Sequence, residues 1–169
     1  MDRSLDTARN GPLFLHQPRI ARIVVDSLRR GAELRHYQLG AWVVMANHVH
    51  VVVRPNVPPS RLLQSLKGFT ARETNRALGR TGEAFWQAES YDHWVRDDRE
   101  LARITAYIED NPVRAQLVAR AEDYPWSSAS TSAETSLGAA GTSSCATSGG
   151  VQTVQDRGNS RLTPRYFVT

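Results

Sequence analysis

The sequence predicts an α+β sandwich in which an antiparallel sheet carries helices on one face. Three segments have apolar residues at helical spacing, and apolar or alternating runs typical of strands lie between them. The resulting order is helix, strand, strand, helix, strand, helix, which fits this class. With 169 residues, the chain is long enough for one domain and a tail.

The first half predicts a helix and a hairpin. A helix is expected from Pro18 to about Glu33, because proline suits a first helical turn. "RHYQLGAWVVM" and "HVHVVVR" then predict two strands joined tightly at "ANH", with Pro55 ending the second. Only "PLFLH" precedes the helix, and it is too short to predict a full strand.

The second half predicts two helices with a short strand between them. "PPSRLLQSLKGFTARETNRALG" has Ser60 as the expected N-cap and closes at Gly79. "EAFWQAESYDHWVRD" has the aromatic alternation of a short strand. "DDRELARITAYIEDNP" predicts a third helix, capped by Asp97 or Asp98 and stopped at 111–112, because the residue before a proline avoids helical geometry.

Composition sets the domain boundary and the compartment. Residues 130–169 are rich in Ser, Thr, Ala and Gly, which predicts a domain at 1–129 followed by a disordered tail. The single cysteine, Cys145, provides no disulfide framework or cysteine zinc site. No apolar run approaches the roughly 20 residues of a membrane span, and no signal peptide is apparent. We expect a cytoplasmic protein without a membrane partner.

The basic residues are almost all arginine. The formal net charge is +4, and of the 21 basic residues only Lys67 is a lysine. The guanidinium group binds phosphate oxygens in pairs, so this bias suits phosphate recognition. A GC-rich genome would produce the same bias, and both interpretations stay open.

The run "WVVMANHVHVVVRP" contains two histidines two residues apart. Alternate residues of a strand share a face, so His48 and His50 should project together, about 7 Å apart along the chain. Two imidazoles on one face could bind a metal ion, although such pairs more often bind nothing. Valines on both faces indicate burial, and a buried histidine needs a partner.

A tyrosine and an asparagine share one face of the third helix. Tyr107 and Asn111 lie one turn apart beside an apolar stripe. A simple packing role for Tyr107 is the alternative. If the helix packs on the sheet, however, it could bring the phenol and the amide to the two histidines.

At this point the sequence resembles a family. The blocks "WVVMANHVHVVV", "AFWQAESYDHWVRD", "YIEDNPVRAQLV" and "DYPWSSA" are similar, in order and spacing, to those of the REP-associated tyrosine transposases. These proteins belong to the single-tyrosine HUH transposase superfamily. The likeness covers residues 12–130. It implies a ferredoxin-like fold that cleaves single-stranded DNA at hairpin-forming repeats.

The resemblance also implies roles for the site residues. His48 and His50 match the pair that binds Mg²⁺ or Mn²⁺, Asn111 matches the polar residue that completes the metal site, and Tyr107 matches the catalytic nucleophile. Tyr91 is the rival nucleophile, but it has no polar partner one helical turn on. The expected product is a 5′-phosphotyrosine link with a free 3′-hydroxyl.

DNA contacts are expected from basic and aromatic residues. The predicted phosphate contacts are Arg61, Lys67, Arg72, Arg76, Arg96 and Arg103. Trp86, Tyr91 and Trp94 could stack on unpaired bases. Solvated arginines and core aromatics are the alternative for at least half of these residues. His93 could be a further ligand or DNA contact, with a structural role as its alternative.

The sequence departs from the family in two places. The family's first strand, which is central in the sheet, looks short or missing. Ala46 replaces a proline common before the histidines, which should loosen that turn slightly.

Three functions therefore compete. The leading one is a metal-dependent strand transferase, the second is an inactive, truncated palindrome-binding protein, and the third is a hydrolase that uses water instead of tyrosine. Either a monomer or a homodimer is compatible with the family.

Overall fold

A computed structural model gives the structure of residues 12–87 and 91–131 and of one more strand near the C-terminus, with only the backbone of residues 91, 92 and 165–168. The α+β class and the predicted order of elements are confirmed. The elements are α1 (Pro18–Glu33), β1 (Tyr37–Val44), β2 (Val49–Pro55), α2 (Pro59–Leu78), β3 (Tyr91–Trp94), α3 (Asp98–Arg114) and β4 (Arg165–Val168).

The strands form one antiparallel sheet in the order β1-β2-β4-β3. β4 lies between β2 and β3, and Val168 pairs with both His50 and Tyr91. The predicted disordered tail is therefore wrong for residues 165–168, while residues 132–164 lie outside the described part of the chain. β4 holds a central position like the one expected of the family's first strand. Phe14–His16, in the segment before α1, is a turn of 3₁₀ helix.

Helices cover both faces of the sheet, which corrects the prediction of helices on one face only. Val49, Val51 and Val53 of β2 pack in a core with α1 and Leu62 of α2. Val52 packs in a second core with Ile104 and Ile108 of α3. A strand that is apolar on both sides has to be covered on both sides, and β2 is such a strand.

The side of the sheet covered by α1 and α2, here called the α1/α2 face, contains a buried, tightly packed tyrosine, Tyr37. The Tyr37 hydroxyl donates a hydrogen bond of 2.7 Å to the Leu28 carbonyl. A Cβ on Gly31 would lie 2.7 Å from a ring carbon of Tyr37, so only glycine leaves room for the phenol. Burial raises the pKa of Tyr37 to about 12.

The helix ends differ from the predictions at two points. Pro58, not Ser60, holds the N-cap position of α2 and makes no side-chain cap bond, whereas Gly79 ends the helix with φ of 70° as expected. α3 is capped by Asp97, whose carboxylate accepts from the Glu100 backbone N–H at 2.7 Å.

α3 does not stop at residues 111–112 but continues to Arg114 with Pro112 inside it. A proline removes its own N–H donor and crowds the carbonyl four residues before it, which bends or breaks the interior of a helix. Pro112 lies only two residues before the end of α3, so the disturbance falls in the final turn.

A segment after α3 covers the outer edge of β1. Val44 N–H donates to the Trp126 carbonyl, and Ser128 N–H donates to the Trp42 carbonyl. This pairing satisfies backbone groups that an edge strand would otherwise expose. In the described part of the chain, no helix is both long and apolar enough to cross a membrane.

Candidate active site

The two histidines lie side by side at the start of β2. Their ring centroids are 4.6 Å apart, with an angle of 72° between the planes. His48 belongs to the connection between β1 and β2, and His50 is fully buried within β2. Met45 N–H donates to the His48 carbonyl at 2.9 Å, so the turn closes tightly despite Ala46.

Asn47 fixes the orientation of one imidazole. Its Oδ1 lies 2.8 Å from Nδ1 of His48. When Nδ1 carries the proton and donates it to this oxygen, the lone pair of His48 resides on Nε2. A neighbouring acceptor of this kind is typical of histidines that ligate metals, because it sets the tautomer and the ring angle.

Tyr107 of α3 faces the histidine pair. Its ring centroid is 5.8 Å from that of His50, with an angle of 69° between the planes. The tyrosine is half-buried, and Asn111, one turn further on, is 5% exposed. The structure therefore brings Tyr107 to the histidines, as the helix-on-sheet argument expected.

The rest of α3 is anchored to β1 by side chains. Ser128 Oγ donates to a carboxylate oxygen of Glu109 at 3.1 Å and accepts from the Trp42 N–H at 3.0 Å. The Tyr124 hydroxyl donates to the Val44 carbonyl at 3.0 Å, and burial raises its pKa. The "DYPWSSA" block thus positions the helix that carries Tyr107.

His93 has a structural partner. Its Nε2 lies 3.1 Å from a Glu100 carboxylate oxygen. The other Glu100 oxygen accepts from the Arg96 backbone N–H, and these bonds hold the pKa of Glu100 below its usual range, with the Arg96 bond the largest cause. His93 therefore joins β3 to the start of α3, as its structural interpretation expected.

The predicted DNA-binding residues of α2 lie on the face away from Tyr107. Arg61, Arg72 and Arg76 are exposed. Arg76 pairs with Glu73 at 3.3 Å, and the Arg72 guanidinium carbon lies 6.0 Å from the centre of the Phe69 ring. The structure does not bring these three side chains to the histidine pair.

Two further predicted contacts, Lys67 and Trp86, belong to the packing of that same α1/α2 face. The Trp86 indole N–H donates to Thr70 Oγ1 at 2.8 Å, and the ring packs against the core. The Lys67 ammonium donates to the Gln87 carbonyl, and burial lowers its pKa. These contacts favour the core interpretation for Trp86.

The predicted residues on the α3 side are nearer the site. Arg96 and Arg103 are exposed, and Arg103 lies one helical turn before Tyr107, with its guanidinium 3.7 Å from Glu100. Trp94 is 46% exposed. The side chain of Tyr91, the rival nucleophile, lies outside the described part of the structure.

Sequence reasoning missed two neighbours of the site. Asn47 was treated only as part of a turn, although an asparagine directly before a candidate ligand was a usable signal. Arg114 was missed because the helix was expected to end at 111–112. Its guanidinium carbon lies 5.1 Å from the centre of the Tyr107 ring.

This fold and site define a class of protein. Residues 15–111 match the family described as "Transposase IS200 like". The match covers more than half of the chain, and the chain belongs to the IS200-like transposase family.

Within that family, the resemblance inferred from the sequence blocks is confirmed. The chain is 27% identical to the REP-associated tyrosine transposase of Escherichia coli (strain K12) over 123 residues, which cover 70% of this chain and 68% of the relative. A solved structure of a REP-associated tyrosine transposase bound to a REP hairpin matches with a TM-score of 0.55 and 20% identity. That match covers 86% of this chain and 87% of the other, and at this identity it establishes the shared fold.

Proposed function

We propose that the chain is a metal-dependent endonuclease and strand transferase for single-stranded DNA, with Tyr107 as its nucleophile. The observation that carries the proposal is the position of the Tyr107 ring, 5.8 Å from His50 and on the face of the sheet where the histidines meet. A phenol beside two imidazoles is a plausible nucleophile only if another group favours its ionised form or activates the phosphate.

The donor atoms near Tyr107 fit a divalent ion, Mg²⁺ or Mn²⁺. His48, oriented by Asn47, would offer Nε2, His50 a second nitrogen, and Asn111 an amide oxygen. No group of three or more His, Cys, Asp or Glu residues suited to a metal occurs in the described part of the chain. Two imidazoles and one amide oxygen leave coordination positions open for phosphate and water, so we expect the protein to bind the metal ion weakly without DNA.

When bound, the ion would polarise a non-bridging phosphate oxygen and offset the charge on the leaving oxygen. The protein's own contribution is to hold the phenol in place. Tyr107 Oη bonds to phosphorus as the bond from phosphorus to the 3′ oxygen breaks. The phenolic proton passes to water, and the 3′ oxygen takes a proton from water. The 5′-phosphotyrosine retains the energy of the broken diester, so rejoining needs no ATP.

The proposed substrate is single-stranded DNA that contains a hairpin-forming repeat. Two relatives support it: the curated relative is named for REP elements, and the related solved structure has a REP hairpin bound. The net charge of +4, supplied almost entirely by arginine, suits a phosphate-bearing partner.

The test is a denaturing-gel assay with end-labelled, hairpin-containing single strands from the genomic surroundings of the gene. We expect a protease-sensitive covalent adduct with Mn²⁺, none with chelator, and none for Tyr107→Phe. Hairpin binding without an adduct, in a folded wild-type preparation and across several hairpins, would indicate an inactive DNA-binding protein. Cleavage that persists in Tyr107→Phe would indicate a hydrolase.

A further inference from the structure

The continuation of α3 past Pro112 creates a row of side chains that ends at Arg114. Residues four and seven positions apart on a helix lie on one face, so Tyr107, Asn111 and Arg114 follow one another along α3. Arg114 is the last residue of this helix and is exposed. Its guanidinium carbon is 5.1 Å from the centre of the Tyr107 ring, so its charge lies beside the proposed nucleophile.

The charge of Arg114 is available to a ligand. Among the described residues, no carboxylate forms a salt bridge with Arg114, whereas Arg103 on the same helix lies 3.7 Å from Glu100. The Tyr107 ring therefore has the His50 ring at 5.8 Å and this guanidinium carbon at 5.1 Å. A phosphate in reach of the Tyr107 hydroxyl would be near both the imidazole and the positive charge.

Arginine also covers aromatic rings elsewhere in this protein. The Arg29 guanidinium carbon lies 5.8 Å from the centre of the Trp42 ring, and that of Arg22 lies 5.9 Å from Trp126. Neither ring carries a nucleophile, and both pack in the core on the α1/α2 side of the sheet. Arg29 therefore provides a matched control, since it has the same contact chemistry without a reactive partner.

We propose that Arg114 is a catalytic residue that binds the scissile phosphate while Tyr107 attacks it, an inference that rests on the function proposed above. A guanidinium binds two phosphate oxygens at once and opposes the charge that builds up as the Oη–phosphorus bond forms and the bond to the 3′ oxygen breaks. The same contact acts in the reverse step. Loss of Arg114 should therefore slow cleavage and rejoining by the same factor.

The experiment measures single-turnover adduct formation at saturating DNA, with an end-labelled hairpin oligonucleotide and Mn²⁺. We expect Arg114→Gln to lower the rate roughly 10²- to 10³-fold, the usual loss for a donor aimed at developing charge. Affinity for the hairpin should change less than about 3-fold, since one phosphate contact among many is removed. Arg29→Gln should leave the rate unchanged.

Two further variants separate charge from packing. Arg114→Met keeps an unbranched apolar stem on the Tyr107 ring without the charge, and it should be as slow as Arg114→Gln. Arg114→Lys keeps the charge without the fork and should recover part of the rate. A Met variant as fast as wild type would mean that Arg114 only supports the ring, and the proposal would be wrong.

The same assay separates this inference from the proposed function. If wild type forms no adduct on any hairpin, both are wrong. If wild type forms the adduct and Arg114→Gln matches its rate at saturating DNA, only the role of Arg114 is wrong. A loss that disappears when more DNA is added would reduce Arg114 to a binding residue and would also overturn the proposal.

Discussion

The two faces of the sheet are built from the same strands but have different surroundings. Toward α1 and α2, β2 presents Val49, Val51 and Val53 to an apolar core. Toward α3, the alternate positions of β2 include His50. A tyrosine from each face can be compared: Tyr37 on the α1/α2 face, and Tyr107 on the α3 face, where Tyr124 also packs. The difference between those tyrosines indicates which face carries chemistry.

Tyr37 is suited to packing and Tyr107 to reaction. Tyr37 is 2% exposed, donates to a helix carbonyl, and has a pKa raised to about 12 by burial. A phenol in that state keeps its proton and has no access to DNA. Tyr107 is half-buried and has both an imidazole and a guanidinium near its ring. A residue of the same type is therefore buried and hydrogen-bonded on one face, whereas on the other it is half-buried beside the histidines and is the proposed nucleophile.

The largest expected effect separates the two tyrosines. Tyr107→Phe should remove the covalent DNA adduct completely, and the variant should remain folded in a thermal melt. Tyr37→Phe should leave adduct formation intact but cost about 1 kcal/mol, because a buried hydrogen bond to Leu28 is lost. The gel assay and thermal melts on both variants check this pair. Equal loss of the adduct in the two variants would contradict the assignment of the chemistry to the α3 face alone.

The next effect concerns β4, the strand that lies between β2 and β3 in the sheet. Deletion of residues 165–169 should leave the inner edges of β2 and β3 unpaired, including the backbone at His50. Thermal stability and adduct formation should then fall together. A synthetic peptide with the sequence of residues 165–169 should restore both in part, and a scrambled peptide should not. Full activity in the deletion variant would show that the site does not depend on β4.

A smaller effect tests the packing of the α1/α2 face alone. Gly31→Ala would place a methyl group 2.7 Å from a Tyr37 ring carbon and should cost about 1–3 kcal/mol by overpacking. Gly68→Ala is the matched control, because its Cβ meets nothing within 4 Å and alanine favours a helix. The melting temperature should therefore fall in Gly31→Ala and rise in Gly68→Ala. Adduct formation should stay intact in both variants at temperatures where they are folded.

The last effect, absent at neutral pH, is a pH dependence that belongs to Tyr37. Its folded pKa of about 12 lies above the ordinary tyrosine value of about 10. A raised pKa gives stability that is fully present below pH 10 and is lost as the pH rises toward 12. The stability advantage of wild type over Tyr37→Phe should shrink across that window and reverse at its upper end, as measured by denaturant unfolding. A constant difference would contradict the burial of this phenol.

The sequence predicted much of the site because its signals are local. Alternation along the predicted strand "HVHVVVR" put the histidines on one face, although β2 itself begins at Val49. Helical spacing placed Asn111 one turn after Tyr107. It could not predict β4, because a four-residue strand gives a weak signal and its partners lie far away in the chain. The position of Arg114 beside Tyr107 was not predicted, because a proline was expected to end the helix. That expectation is wrong here, since Pro112 lies in the last turn of α3.

The most direct test of the central claim is to locate the covalent link by mass spectrometry. Trypsin releases residues 104–114, whose only tyrosine is Tyr107, and residues 81–96, whose only tyrosine is Tyr91. After reaction with a hairpin oligonucleotide and nuclease trimming, we expect the nucleotide on the first peptide alone. A nucleotide on the second peptide, or cleaved DNA with neither peptide modified, would contradict the assignment of Tyr107 as the nucleophile.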